Sequence, residues 1–233
     1  MNKPSDIPSI EVLEKDFEQK FAYPASEKKY LESEFLISNV DSTLIEKSSK
    51  LIQRRYQLQL QNFTKTSEVL ASADQMFDLF NESYASLSSF VPISERQKDY
   101  FKKKYLTFIN PEYIKFVFDN EGNMIAFAIT MPSFSKALQR ANGKLSLWGI
   151  LNLLWAKRHS KTAILYLIGV RPEYQNKGIT ALLFAALKKE YDKRGVKIAH
   201  RTPELEDNLA IQRLWKDFDP YVTQKRATYK KEI

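Results

Sequence analysis

The chain has no cysteine and only two histidines, His159 and His200, in 233 residues. Disulfides, Cys-ligated zinc and iron–sulfur clusters are excluded, and a His-rich metal site is not expected. Long apolar runs are missing too. The longest, LSLWGILNLLWA from Leu145, is about half the length a spanning helix needs. The opening residues, MNKPSDIPSIEVLEKDFEQ, are polar and hold no hydrophobic secretion-signal core. There are no internal repeats and no low-complexity tract. These absences predict a cytoplasmic protein with no metal and no membrane partner.

What is present is enough apolar residue, 43%, to build a sizeable core. Lys and Arg outnumber Asp and Glu by 36 to 28, a formal charge of +8. The cations are spread out, apart from Lys102–Lys104 and the tail QKRATYKKEI, so the balance reads first as solubility. The tail alternates like an edge strand, where lysines suppress unwanted pairing, so nucleic-acid binding is not expected.

Residues 1–55 read as a helical arm or the remnant of a partner lobe. Ile10, Leu13, Phe17 and Phe21 make one stripe, and Tyr30, Leu31, Glu34 and Phe35 suggest a second helix. Asp41-Ser42 can cap a third, running through Leu44, Ile45, Leu51 and Ile52. An arm of this kind packs on the main domain or on a second copy, so a homodimer is one expectation. From Tyr56 the pattern becomes that of a mixed α/β domain, 56–233. A strand near Tyr56–Leu60 leads to an amphipathic helix over Ala73–Leu87 and another opened by the Ser94/Gln97 capping box. A hairpin turns at Gly122, and two helical stretches follow, Ser133–Ala141 and Leu145–Lys157. The second of these, like Tyr166, Phe77, Phe80 and Phe127, is expected in the core. A strand over Ala163–Val170, a helix over Thr180–Arg194 capped by Gly195, a strand VKIAH, a helix over Asn208–Phe218 and a last strand complete the order.

One stretch stands out: GVRPEYQNKGITALLF, from Gly169. A strand runs into a polar loop with one glycine, and the loop feeds a helix. The first amides of a helix have no intrahelical partner, and the macrodipole adds partial positive charge there. That arrangement suits phosphate or diphosphate. Gly178 permits close backbone approach, and Gln175, Asn176 and Lys177 can add side-chain donors. Arg171 and Lys177 can equally be solvated surface charges. Downstream, Glu204 and Glu206 flank Leu205 just after a strand. One of them can serve as a general base, or both can be acids favoured by a helix dipole, with Asp207 or Asn208 as cap. His200 is a rival base.

The stretch resembles the cofactor-binding motif of the GNAT-type N-acyltransferases: Val170, Pro172, Gln175 and Gly178 match it, and Asn208 matches the family's next segment. The resemblance implies a GNAT-like acyl-CoA-binding fold and an acetyl-CoA or other acyl-CoA cosubstrate. It implies direct transfer of the acyl group to a small-molecule or peptide amine, with no covalent enzyme intermediate. It places the diphosphate on the amides of Gln175, Asn176, Lys177, Gly178, Ile179 and Thr180. A backbone N–H near Ile168 or Gly169, beside Val170, would polarise the thioester carbonyl. Two departures are visible. Thr180 stands where the motif has Gly or Ala. Trp215 stands where many members carry a tyrosine general acid, which leaves Tyr221 as the substitute. The rival readings are a catalytically degenerate GNAT-fold binding or scaffold protein and an aminoacyl-tRNA-dependent transferase.

Overall fold

The computed structural model describes residues 26–87 and 90–229. The stripe Ile10, Leu13, Phe17 and Phe21 lies outside them. The described residues fall into two compact units, 26–40 with 198–229, and 41–197. Strand β1 (Ser26–Leu36) opens the smaller unit, and the chain returns to it only at residue 198.

The larger unit begins at a built cap. Asp41 Oδ1 accepts the amides of Thr43 and Leu44 at 2.9 and 3.0 Å, starting α1 (Ser42–Arg55) as expected. Gln57 is left-handed (φ 52°) and ends that helix, so β2 (Gln59–Asn62) starts later than the alternation from Tyr56 suggests. Helices α2 (Thr66–Ala71) and α3 (Ala73–Tyr84) follow, and α3 buries Met76, Phe77 and Leu79. The capping box is present: Gln97 Oε1 accepts the Ser94 amide at 2.9 Å and opens α4 (Glu95–Phe101). The hairpin of β3 (Ile114–Phe118) and β4 (Met124–Pro132) turns with Gly122 at φ 83°. Helices α5 (Ser135–Arg140) and α6 (Leu147–His159) separate it from β5 (Thr162–Val170). Helix α7 (Thr180–Arg194) ends at Gly195, left-handed at φ 63°.

Strands β2, β3, β4 and β5 pair in that order, each antiparallel to the next. The hairpin is buried on both faces, with Ile114, Phe116, Val117 and Phe127 inside. Leu182, Leu183 and Leu187 put one face of α7 into that core, each contributing roughly 1.5–3 kcal/mol. Helix α1 lies along α7, and Glu46 reaches Lys189 at 3.7 Å.

Helix α6 departs from the core position expected for LWGILNLLWA. Its buried residues are the small ones, Gly149 and Ala156, while Leu147 and Trp148 are 81% and 77% exposed. The close approach is at Gly149, where a Cβ would stand 2.2 Å from the Lys144 carbonyl oxygen. Only the small-residue face fits against the body, so the large side chains point out. Tyr166 is likewise exposed rather than in the core.

Gly169 is held by a different contact. It pairs with Phe127, and an added Cβ would lie 2.3 Å from that ring. Gly169→Val is expected to destabilise the protein by about 2–3 kcal/mol in urea unfolding, since both neighbours are fixed in the sheet.

In the smaller unit β6 (Ile198–Leu205), α8 (Leu209–Trp215) and β7 (Tyr221–Tyr229) join β1. Strand β1 lies between β6 and β7, antiparallel to both. A helix over Tyr30–Phe35 is therefore replaced by a strand. The run YLESEF also alternates, and two partner strands far away in sequence decide the matter. Phe35 packs on Trp215 and Phe218, with ring centroids at 5.9 and 5.1 Å.

Candidate active site

The larger unit holds the loop that follows β5. Near the end of that strand the carbonyls of Ile168 and Val170 face away from β4. Tyr84 Oη donates to Ile168 O at 2.8 Å, and Ser83 Oγ donates to Val170 O at 3.1 Å. In an antiparallel strand the N–H of a residue points the same way as its carbonyl, so the Ile168 N–H shares this edge.

A short turn at Pro172–Tyr174 follows, in which Tyr174 N–H and Gln175 N–H bond back to Arg171 and Pro172 at 2.8 and 3.2 Å. The helix ladder resumes with Ala181 N–H on Gly178 O and Leu182 N–H on Ile179 O, both at 3.0 Å. Between these, the amides of residues 176–180 meet no acceptor among the described residues. Asn176 (φ 58°) and Gly178 (φ 75°) are left-handed on either side of Lys177, which is not. Alternation of this kind gathers successive amides into an anion-binding concavity, and the α7 dipole adds to it.

The side chains refine this picture. The missing Cβ of Gly178 faces Ile52 of α1, whose Cδ1 would be 3.2 Å away. The glycine thus answers to its φ and to α1 rather than to the outer side of the loop. Ile179 is buried and anchors the loop, Thr180 is half-buried, and residues 175–178 are exposed. Gln175 Nε2 donates to Val170 O at 3.2 Å, and Arg171 Nε donates to Met124 O at 3.2 Å. Lys177 Nζ sits over Tyr174 and Tyr56, 5.2 and 5.6 Å from the ring centroids.

The smaller unit holds a chain of titratable groups. Tyr221 Oη donates to Glu34 Oε2 at 2.8 Å, and the other oxygen of Glu34 is 3.2 Å from His200 Nδ1. His200 Nε2 is 3.6 Å from Glu32, and the second oxygen of Glu32 pairs with Arg226. Burial, and then the bond to Glu34, push the Tyr221 phenol up to about 12. The helical reading gives Glu34 only a place in a stripe and Glu32 no role, because a helix over Tyr30–Phe35 would not aim both at one partner. Strand alternation was the signal that could have found them.

Glu204 is engaged elsewhere. One oxygen accepts from Trp215 Nε1 at 3.1 Å, and the other pairs with the buried Arg201. Burial raises its pKa, and Arg201 and Trp215 offset part of that rise. Glu206 is exposed, with its own amide on Lys29 O at 3.0 Å. Asn208 Oδ1 accepts the Ile211 amide at 3.4 Å, which is the work of a helix cap. The structure therefore brings His200 and Tyr221 together through Glu34 and gives Glu204, Glu206 and Asn208 separate partners. Among the described residues no group of His, Asp and Glu is arranged to hold a metal. No helix among them is long and apolar enough to cross a membrane.

A model of the acetyltransferase (GNAT) family matches residues 73–219. The chain belongs to the GNAT acetyltransferase family. Protein YghO of Escherichia coli (strain K12) is 25% identical over 162 residues, covering 67% of this chain and 41% of that protein. The chain thus spans less than half the length of this curated relative. Among solved structures, a GCN5-related N-acetyltransferase from Sphaerobacter thermophilus superposes with a TM-score of 0.58 at 12% identity, over 96% of this chain and 56% of that one. A GCN5-related glucosamine N-acetyltransferase region in a fungal multi-domain GH3 β-N-acetylglucosaminidase gives 0.56 at 11% identity, over 95% and 23%. At these identities the two structures support the α/β GNAT fold alone. GNAT members use acyl-CoA as cosubstrate and act on amines, some of them on peptides or proteins.

Proposed function

We propose that this protein transfers an acyl group, acetyl in the simplest case, from acyl-CoA to the amine of a small-molecule or peptide acceptor by direct attack. The observation that carries the reading is the row of amides at residues 176–180 with no acceptor among the described residues, at the head of a fifteen-residue helix. Bound acyl-CoA supplies an activated thioester carbonyl. The amides of 176–180 bind its diphosphate, the side chains of Asn176 and Lys177 border them, and Gln175 stays on Val170. The Ile168 N–H, on the same strand edge as the carbonyl that Tyr84 bonds, donates to the thioester carbonyl oxygen on this reading. In the smaller unit, Glu34 with His200 beside it is the group suited to take a proton from an amine. Tyr221 Oη holds its proton at neutral pH, because its pKa lies near 12, and serves as the acid that Trp215 cannot be.

A second reading, a binding protein without turnover, is favoured by Trp215. Its ring is 1% exposed and its N–H is committed to Glu204. Release of free CoA thiol over a panel of amines separates the two. On the leading reading CoA raises the melting temperature, pantetheine without the diphosphate does not, and Glu34→Gln lowers kcat by about 100-fold or more while leaving the CoA shift intact. No turnover with any amine, despite a CoA shift, favours the second reading. No shift at millimolar CoA defeats both.

A further inference from the structure

Helix α6 presents the reverse of a packed amphipathic helix. Its small residues face the body, and Leu147, Trp148, Leu151, Leu154 and Trp155 are all more than half exposed. Such a patch on a surface helix calls for a covering. The charge along this stretch of chain is one-sided: no Asp or Glu occurs from residue 122 to 172, whereas Lys136, Arg140, Lys144, Lys157, Arg158 and Lys161 lie in or next to the two helices. Lys144, just before α6, and Arg158, in its last turn, are exposed, and Lys157 Nζ rests over the exposed Phe108 ring at 5.2 Å.

From the apolar face, its two tryptophans and this acid-free cationic frame, we infer that α6 is a docking element for an anionic lipid bilayer surface. It lies in the interface with Trp148 and Trp155 at headgroup level. Tryptophan is suited to that boundary because its ring is apolar and its N–H finds water or headgroup acceptors. The helix has thirteen residues, too few to span, so it lies on the surface rather than crossing it. A second copy of the chain is the poorer occupant, because two such faces would bring the same six cations against each other with no acid to answer them. An anionic leaflet supplies the missing charge, and each cation near it raises partitioning roughly fivefold. The inference revises the expectation of no membrane partner and stands apart from the catalytic reading.

Sedimentation with vesicles of phosphatidylglycerol and phosphatidylcholine in equal parts, against vesicles of phosphatidylcholine alone, tests it. Two of the three tryptophans lie on α6 and the third is buried, so emission should shift to the blue on binding. Binding to the anionic vesicles is expected, at least tenfold above the neutral ones, and it should weaken as added salt shortens the screening length. Trp148→Glu with Leu151→Glu should abolish it, and Lys144→Glu with Arg158→Glu should cut it about tenfold or more. All four positions are exposed, so circular dichroism should be unchanged. Equal binding to neutral vesicles, or none to anionic ones by the folded protein, overturns the inference. So does a dimer in sedimentation velocity that the Trp148/Leu151 variant disperses, because a second copy then covers the face.

Discussion

Gly178→Asp is expected to remove the stabilisation by CoA that the proposed function predicts for the wild-type protein. A ligand at a hundred times its Kd stabilises by about 2.7 kcal/mol, which for a chain of this size is roughly 5–10 °C in Tm. The variant acts on the seat in two ways. At φ 75° any side chain strains the backbone, and its Cβ would crowd Ile52 at 3.2 Å. Strain of this kind costs about 1 kcal/mol, less for Asp than for most residues. The second effect dominates. The added carboxylate, although its Cβ starts toward Ile52, puts a negative charge beside the amides of 176–180 and repels the diphosphate. The expected shift in the variant is below about 1 °C. Gly178→Ala isolates the first effect: it should lose similar intrinsic stability yet keep a weakened CoA shift. Equal CoA shifts in the wild type and Gly178→Asp would place the ligand elsewhere.

Trp215→Ala is expected to destabilise the protein by about 3–5 kcal/mol, among the largest effects a single core change produces. The ring fills the space between Phe35 and Phe218, its face meets the Arg201 guanidinium at 4.9 Å, and its Nε1 bonds Glu204. Trp215→Phe keeps most of the apolar volume and should cost about 1–2 kcal/mol. That variant carries a pH signature. Burial holds the folded-state pKa of Glu204 above the ordinary glutamate value, so the protonated form contributes stability at low pH that is lost as pH rises through the raised pKa. The Trp215 bond lowers this pKa, and removing it raises the pKa further. The cost of Trp215→Phe should therefore be larger at pH 7 than at pH 4. Chemical denaturation at the two pH values checks it. An equal cost at both would mean that Glu204 is not the group that feels the loss.

How much was legible in the sequence follows from where each signal lay. The α/β GNAT class, α1 with its Asp41 cap, the Ser94 capping box, the turn at Gly122 and α7 with Gly195 all rest on local rules. Their residues lie within a few positions of one another, and the structure agrees with them. Strand β1 was not legible in this way. Tyr30, Leu31, Glu34 and Phe35 fit a helical step, and only pairing with β6 and β7, more than 160 residues on, makes the same residues a strand. The helical reading hides the pairing of Glu32 and Glu34 with His200 and Tyr221, so only the last two stand out as candidates. Helix α6 was placed rightly and oriented wrongly. An all-apolar run does not reveal which face packs, and the close approach at Gly149 decided it. Glu204 reads as a base or a helix-dipole acid because its Trp215 partner is met only once β6 and α8 fold together, although Arg201 stands three residues before it on β6 itself.

The most direct test is amide NMR of the labelled protein during titration with CoA. The account predicts that the largest chemical-shift changes fall on the amides of residues 176–180, and that pantetheine without the diphosphate leaves those amides unmoved. Amides at 176–180 that stay in place while CoA binds would contradict it.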